Sequence, residues 1–419
     1  MRSAHRLASR ILTAASLNAA FLGAAFAAPF VPTSDAQVLE RLPSRASDPR
    51  ARELQDLRSA WRGNPKDLGA SVKLARAYFN AVAAEGDPRY IGYAQAALAP
   101  WWDLPQAPTD VRVLRAILNQ FDHRFEEALV DLDAAIASQP NNVEAWSWRA
   151  AIHMVQANYP QARRSCEALA PLTSPLIAAA CAAQVDATTG RAAEAAAALR
   201  KALQAADTET ATTTATATTK DNTAKASQRL WVLTRLAETE ERRGAYPQAE
   251  AAFREALALN ISDIYLLAAY ADFLLDQGRA AEVPALLKDR GRADVLLLRQ
   301  ALAAQALNSP NAAALARELG ARFDAARLRG DVTHRKEESR YVRAFGGAAG
   351  TANALKLGIK NFEEQREPAD ARILMEAAIA AKDPAAAEPA LKWMAQSGID
   401  SVALKKLAAQ LPVGPGSKS

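Results

Sequence analysis

The feature that most restricts how this chain can fold is a repeat of 34 residues between Thr109 and Ser174. The segment TDVRVLRAILNQFDHRFEEALVDLDAAIASQPNN superposes on VEAWSWRAAIHMVQANYPQARRSCEALAPLTS, so that Ala116 falls on Ala150, Ala128 on Ala162, Phe125 on Tyr159 and Leu132 on Cys166. A period of this length marks a supersecondary unit that cannot bury its own apolar stripe and must stack on copies of itself. The small residues have a physical role. Two antiparallel helices approach closely only where Ala or Gly faces the partner, and a bulky side chain one turn on then fills the space beside them.

With Trp146 early in its unit and Pro140 closing the preceding one, the pattern resembles the tetratricopeptide repeat, TPR. The resemblance implies an all-α, right-handed α-solenoid of antiparallel helix pairs, about eight to nine hairpins with end helices. A lone helix over Ala51–Gly63 is expected to cover the first repeat, within an N-terminal stretch (28–66) that is otherwise polar and extended. Repeats one to four occupy 67–206. The first starts near Leu68, with its turn stretched by GDPRYIGY (86–93), and the fourth is carried by Ala183, Gly190, Ala195 and Leu199. Residues 207–228 interrupt the pattern with a Thr/Ala-rich insert that has no large apolar side chain to bury, and are expected to be a disordered surface loop. Repeats five to seven (229–331) resume with Leu236, Ala237, Gly244, Ala249 and Phe253, then Tyr270, Ala271, Gly278 and Val283, then DVLLLRQALAAQ, which echoes the opening of repeat two. Residues 332–411 read as degenerate helical repeats closed by a short cap with Lys405 and Lys406 outward, and 412–419 as a frayed tail.

The N-terminus has the three regions of a secretory signal: Arg2, Arg6 and Arg10, an apolar run from Ile11 to Phe26, and the small-x-small site Ala25-Phe26-Ala27, so cleavage is expected before Ala28. Export in a bacterial-style chain means the periplasm. The formal charge of +5 falls to about +2 once the three signal arginines are set aside, and no basic run suggests a nucleic-acid face.

No catalytic signature stands out. C-x-x-C, H-E-x-x-H, G-x-S-x-G and a phosphate-cradling glycine loop are missing, and Gly346–Gly350 follows no strand. His123, His153 and His334 lie in separate repeats without ligand spacing, so neither a metal, a cofactor nor enzymatic activity is expected. Cys166 at the end of repeat three and Cys181 at the start of repeat four lie on helices that touch in a stack. An oxidising compartment would let them bridge, and two packed thiols is the other reading.

The resemblance places function on the concave groove, lined by fixed positions of each first helix. Repeat five then contributes Trp231, Thr234, Glu238, Glu241 and Arg242, and repeat six Tyr265, Ala268, Asp272, Leu275 and Asp276. Repeats two and three contribute a more apolar set that includes Ile117, Phe121 and Met154. Two aromatics beside four carboxylates would draw in a partner segment carrying Lys or Arg next to an apolar residue. These features imply a non-catalytic adaptor that holds a protein or peptide partner, in the manner of periplasmic TPR proteins of cell-envelope assembly. The alternative is a structural subunit of a larger envelope or secretion complex. N-terminal sequencing of the exported protein should return Ala28 from the soluble periplasmic fraction; Met1 retained in a membrane fraction would contradict the export reading.

Overall fold

The structure is a computed structural model that describes Ser34 and residues 49–213, 219–331 and 333–411. The signal region, nearly all of the extended segment up to Asp48, residues 214–218 of the Thr-rich insert and the tail lie outside the described residues. Two units are distinguished, Met1–Ala51 and Arg52–Ser419. Of the first, only Ser34 and residues 49–51 are described; the packed core belongs to the second.

The described chain is all-α, with no strand. Helix α1 (Pro49–Gly63) lays Leu54, Leu57 and Trp61 against repeat one. That repeat pairs α2 (Leu68–Glu85) with α3 (Arg89–Ala97), followed by the short α4 (Ala99–Trp102). Asp67 starts α2 by accepting from the Ala70 backbone N–H at 2.8 Å, replacing a hydrogen bond the first turn lacks. The stretched turn expected over 86–93 is shorter: only Gly86-Asp87-Pro88 separates the helices, because the Asp87 carboxylate accepts from the Arg89 backbone N–H at 3.0 Å and begins α3 early.

Repeats two and three pair α5 (Thr109–Phe121) with α6 (Phe125–Ser138) and α7 (Val143–Val155) with α8 (Tyr159–Leu169). Repeats four and five pair α9 (Pro175–Thr188) with α10 (Ala192–Thr213) and α11 (Thr219–Arg242) with α12 (Tyr246–Ala258). The small residues sit where the helices touch. Ala116, Ala128, Ala162, Ala237, Ala249 and Ala271 are wholly inaccessible, and Leu132, Leu199 and Phe253 fill the space beside them. A larger side chain at such a position would overpack the contact and destabilise by about 1–3 kcal/mol.

The structure corrects the insert. Helix α10 continues to Thr213 and α11 begins at Thr219, so the Thr-rich stretch is helical on both flanks rather than a loop from 207. Extending an existing helix avoids a new nucleation step, and interspersed Ala offsets the modest propensity of Thr. Arg229 also ties the two flanks by bonding Asp207 at 2.6 Å and reaching Glu255 of α12.

Repeat six pairs α13 (Ile264–Asp276) with a second helix reduced to a 3-10 turn and α14 (Val283–Leu286), since Pro284 enters the helix and Gly291 follows soon after. Repeat seven is α15 (Asp294–Ala306) with α16 (Ala312–Leu328). Repeat one comes back to meet this end: Ser262 Oγ donates to the Ala84 carbonyl at 3.0 Å, and a Cβ on Gly86 would stand 2.5 Å from that of Ala293. With a φ of +70° as well, Gly86 is required on both counts.

The C-terminal region comprises α17 (Arg335–Phe345), α18 (Gly347–Glu364), α19 (Pro368–Ala381), α20 (Glu388–Ser397) and α21 (Val402–Ala408). Between α17 and α18 the chain turns tightly at Gly346, where a Cβ would lie 2.5 Å from the Val342 carbonyl oxygen.

Cys166 and Cys181 form a disulfide that joins α8 to α9, with 5.5 Å between their Cα atoms. It closes a loop of 15 residues, for which the chain-entropy contribution is roughly 3 kcal/mol. Adding reductant should therefore lower the urea midpoint of the wild type, by an amount that corresponds to an unfolding free energy loss of that order, and leave a Cys166→Ala/Cys181→Ala variant unchanged. Equal midpoints with and without reductant would assign the pair a packing role only.

Candidate binding cavity on the inner wall

The first helices of repeats three to six, α7, α9, α11 and α13, share an inner wall. Opposite it lie α19 and α21, and a cavity of about 500 Å³ is left between the two sides. The C-terminal helices reach this position along the turns of repeats two to five. His123 Nδ1 lies 3.4 Å from a Glu364 carboxylate oxygen, and the Arg366 backbone N–H donates to the Val155 carbonyl at 2.7 Å. Trp393 Nε1 donates to the Tyr159 hydroxyl at 2.8 Å. A Cβ on Gly190 would meet the Gly398 carbonyl oxygen at 3.0 Å, and one on Gly244 would meet Val402 at 3.1 Å. Helix α21 keeps Lys405 and Lys406 exposed, as expected of the cap, but packs beside the repeat turns rather than only closing the stack. Its apolar face (Leu404, Leu407) packs with the C-terminal core, and its fellow residue Lys406 borders the cavity.

The wall carboxylates are held by arginines from the same chain. Asp272 accepts two bonds from Arg299 of α15, at 2.6 and 3.1 Å, and two from Arg340 of α17, at 2.8 and 3.0 Å. Burial alone would raise its pKa, but the two guanidinium groups outweigh it and hold the carboxyl well below the usual range. Asp276 is held by Arg372 of α19, which also donates to Glu376 at 2.7 Å, and Glu376 is held in turn by Arg343 at 2.6 Å. Glu238 pairs with Arg235 at 3.0 Å and accepts from the Tyr265 hydroxyl, while the Arg235 guanidinium stacks over the Tyr265 ring at 4.4 Å.

These pairs correct the expectation that the four carboxylates stand open to a partner segment, since arginines of the same chain hold Glu238, Asp272 and Asp276. The basic segment that the carboxylates attract is the chain's own C-terminal region. Two expected contact residues are also relocated. Ile117 is 1% exposed within the core of the first repeats, and Trp231 is packed against the core of repeats four to six, because neighbouring helices cover both positions. Phe121 is partly buried against the first core cluster. Met154, Glu238, Glu241, Arg242, Tyr265, Asp272 and Asp276 are brought together around the cavity.

Glu241 differs from the other carboxylates. Its side chain has no hydrogen bond or ion pair with another described residue. Burial, then Asp276, Glu238 and Asp272, push its pKa up to about 8, against a smaller opposing pull from Arg372. Arg242 donates only to the Glu238 carbonyl and the Thr239 hydroxyl, both at 3.3 Å. Burial weakens its charge, as does Arg235, but a guanidinium stays protonated in water-accessible sites. The sequence reading missed Arg235, Arg366, Arg372 and Lys406, which border the same space. Among the described residues, no three His, Cys, Asp or Glu side chains are grouped to hold a metal ion.

No protein-family model matches this chain, and no curated protein is similar to it in sequence. Among solved structures it is similar to a chain of "Structure of Naa15/Naa10 bound to HypK-THB", at 12% identity and a TM-score of 0.27, covering 87% of this chain and 56% of that one. It thus spans little more than half of that chain's length. It is also similar to "Crystal Structure of P58(IPK) TPR Domain at 2.5 A", at 13% identity and a TM-score of 0.21, covering 87% of this chain and 94% of that one.

The raised pKa of Glu241 has a definite sign in stability. The unfolded chain loses this proton near 4.5 and the folded chain near 8, so folding loses stability as pH rises between those values. Glu241→Gln should match wild type below about pH 4.5 and become progressively more stable than it up to about pH 8, read as the difference in guanidinium midpoints. A difference that does not change with pH would show that Glu241 titrates normally.

Proposed function

We propose that this chain is a non-catalytic adaptor, exported to the periplasm, that holds a protein or peptide partner on its helical-repeat frame in cell-envelope assembly. The observation that supports the adaptor reading is the way the inner wall grips helices. Asp272 and Asp276, on successive turns of α13, each engage an arginine from a helix far along the chain, Arg340 of α17 and Arg372 of α19. Such two-pronged Arg–carboxylate bonds fix orientation as well as position. The same wall presents the half-exposed Tyr265 ring beside them. A partner segment with Arg or Lys next to an apolar residue would use the same chemistry, in competition with α17 and α19. The export part rests on the three-part N-terminus and the disulfide, since bridges persist in oxidising compartments.

Crosslinking in the periplasm followed by mass spectrometry tests this reading. Arg340→Ala/Arg372→Ala, which loosens the internal contact, should raise the yield of one partner protein, with its crosslinks mapping to α11 and α13. Crosslinks confined to the outer helices, or the same yield from both proteins, would remove the inner wall as the partner site.

A further inference from the structure

Among the described residues, Tyr265 is the one large aromatic or aliphatic side chain that borders the cavity and also stays exposed, at 50%. Its ring is fixed in place. The Arg235 guanidinium stacks over the ring at 4.4 Å, the Tyr265 hydroxyl donates to Glu238, and Arg235 closes the triangle by pairing with Glu238 at 3.0 Å. A ring that only fills a core needs no such brace. A ring held still at the edge of a cavity is a preorganised platform for a flat, partly apolar ligand.

The surroundings of the ring favour a neutral ligand rich in hydroxyl groups. One turn on from Tyr265 the wall carries only Ala269, which leaves room above it, and Asp276 and Gln277 stand at the far end of α13. From Tyr265 to Gln277 the wall runs roughly 18 Å, and the cavity of about 500 Å³ is within the usual range for small-molecule sites. Charge around this space is compensated within the chain. Glu238, Asp272, Asp276 and Glu376 are held by arginines, and Glu241 and Arg242 are neighbours on α11. A charged ligand would therefore bring in a charge without a counterpart. Hydrogen-bonding capacity is left over all the same. Asp276 accepts only from Arg372, and the side-chain amides of Gln184 and Gln277 form no hydrogen bond with another described residue. Such a surface offers donors and acceptors side by side, and a hydroxyl group is both at once.

We propose that the cavity is a carbohydrate site. A short neutral oligosaccharide lies along α13, with the C–H face of one pyranose ring stacked on Tyr265 and hydroxyl groups of another on Asp276 and Gln277. The site does not rest on the adaptor reading, because it uses the wall with α17 and α19 in place, whereas a partner segment competes with them.

The test is calorimetric titration of the full exported chain with three neutral trisaccharides: maltotriose, cellotriose and triacetylchitotriose. Chitotriose, trigalacturonic acid and N-acetyl-trialanine amide serve as the cationic, anionic and peptide comparisons. At least one neutral trisaccharide should bind, more tightly than its own monosaccharide and more tightly than any of the comparisons. Tyr265→Phe keeps the ring and should keep that affinity. Tyr265→Leu keeps an apolar side chain without the flat face and should lose about tenfold or more, as when an aromatic anchor is removed. Both variants should fold, since the position is half exposed, and far-UV circular dichroism checks this. No binding by any neutral trisaccharide to the folded wild type overturns the proposal. So does tighter binding of a charged trisaccharide or of the peptide, or wild-type affinity in Tyr265→Leu.

Discussion

Asp272 holds two guanidinium groups, and much of the C-terminal arrangement follows from that. Arg299 is 8% exposed by side chain and Arg340 17%, so neither can be left unpaired without a large desolvation penalty. One carboxylate therefore joins α13 to the next repeat through Arg299 and to α17 through Arg340. From α17 the tie continues. Lys336 lies 3.5 Å from the fully buried Asp370 of α19, and Asp370 also accepts from Asn361 of α18 at 2.9 Å. Arg343 and Arg372 share Glu376. A charged network of this kind contributes little net stability compared with apolar packing. Its consequence is geometric, since only one placement of α17 and α19 pairs every member.

The repeats supply the frame for that network by a different kind of force. Contacts between Ala residues hold the helix pairs close, and the side chains beside them fill the remaining space, so the inner wall is rigid before any charge is placed on it. The inner wall is then a surface on which carboxylates at helical spacing stand at fixed separations. The C-terminal helices match that spacing with arginines. Around the cavity, Glu241, Arg242, Arg366 and Lys406 form no ion pair with another described residue.

The frame was legible in the sequence because it depends on local rules. The 34-residue period, the paired Ala residues and the closing Pro and Gly positions each specify a neighbour a few residues away. The groove positions were legible as well, down to Glu238, Glu241, Asp272 and Asp276 around one space. Their occupancy was not. Arg340 and Arg372 find their carboxylates 68 and 96 residues away, and on their own helices they look like ordinary solvent-facing charges. Nothing local distinguishes an arginine meant for water from one meant for Asp276. The burial of Ile117 and the partial burial of Trp231 were hidden for a similar reason, as the repeat template assigns a face but not what later covers it. The Thr-rich flanks were misread because poor propensity was weighed without the long helices they extend.

A double-mutant cycle between Asp272 and Arg340 tests the central claim most directly, that the C-terminal helices are clasped to the inner wall by these charges. Unfolding free energies of the wild type, Asp272→Ala, Arg340→Ala and the double variant give the coupling between two residues on α13 and α17. Contact predicts a coupling of about 0.5–3 kcal/mol, with the double variant less destabilised than the sum of the singles. Strict additivity would mean that Arg340 does not reach Asp272 in solution and that the inner wall is open.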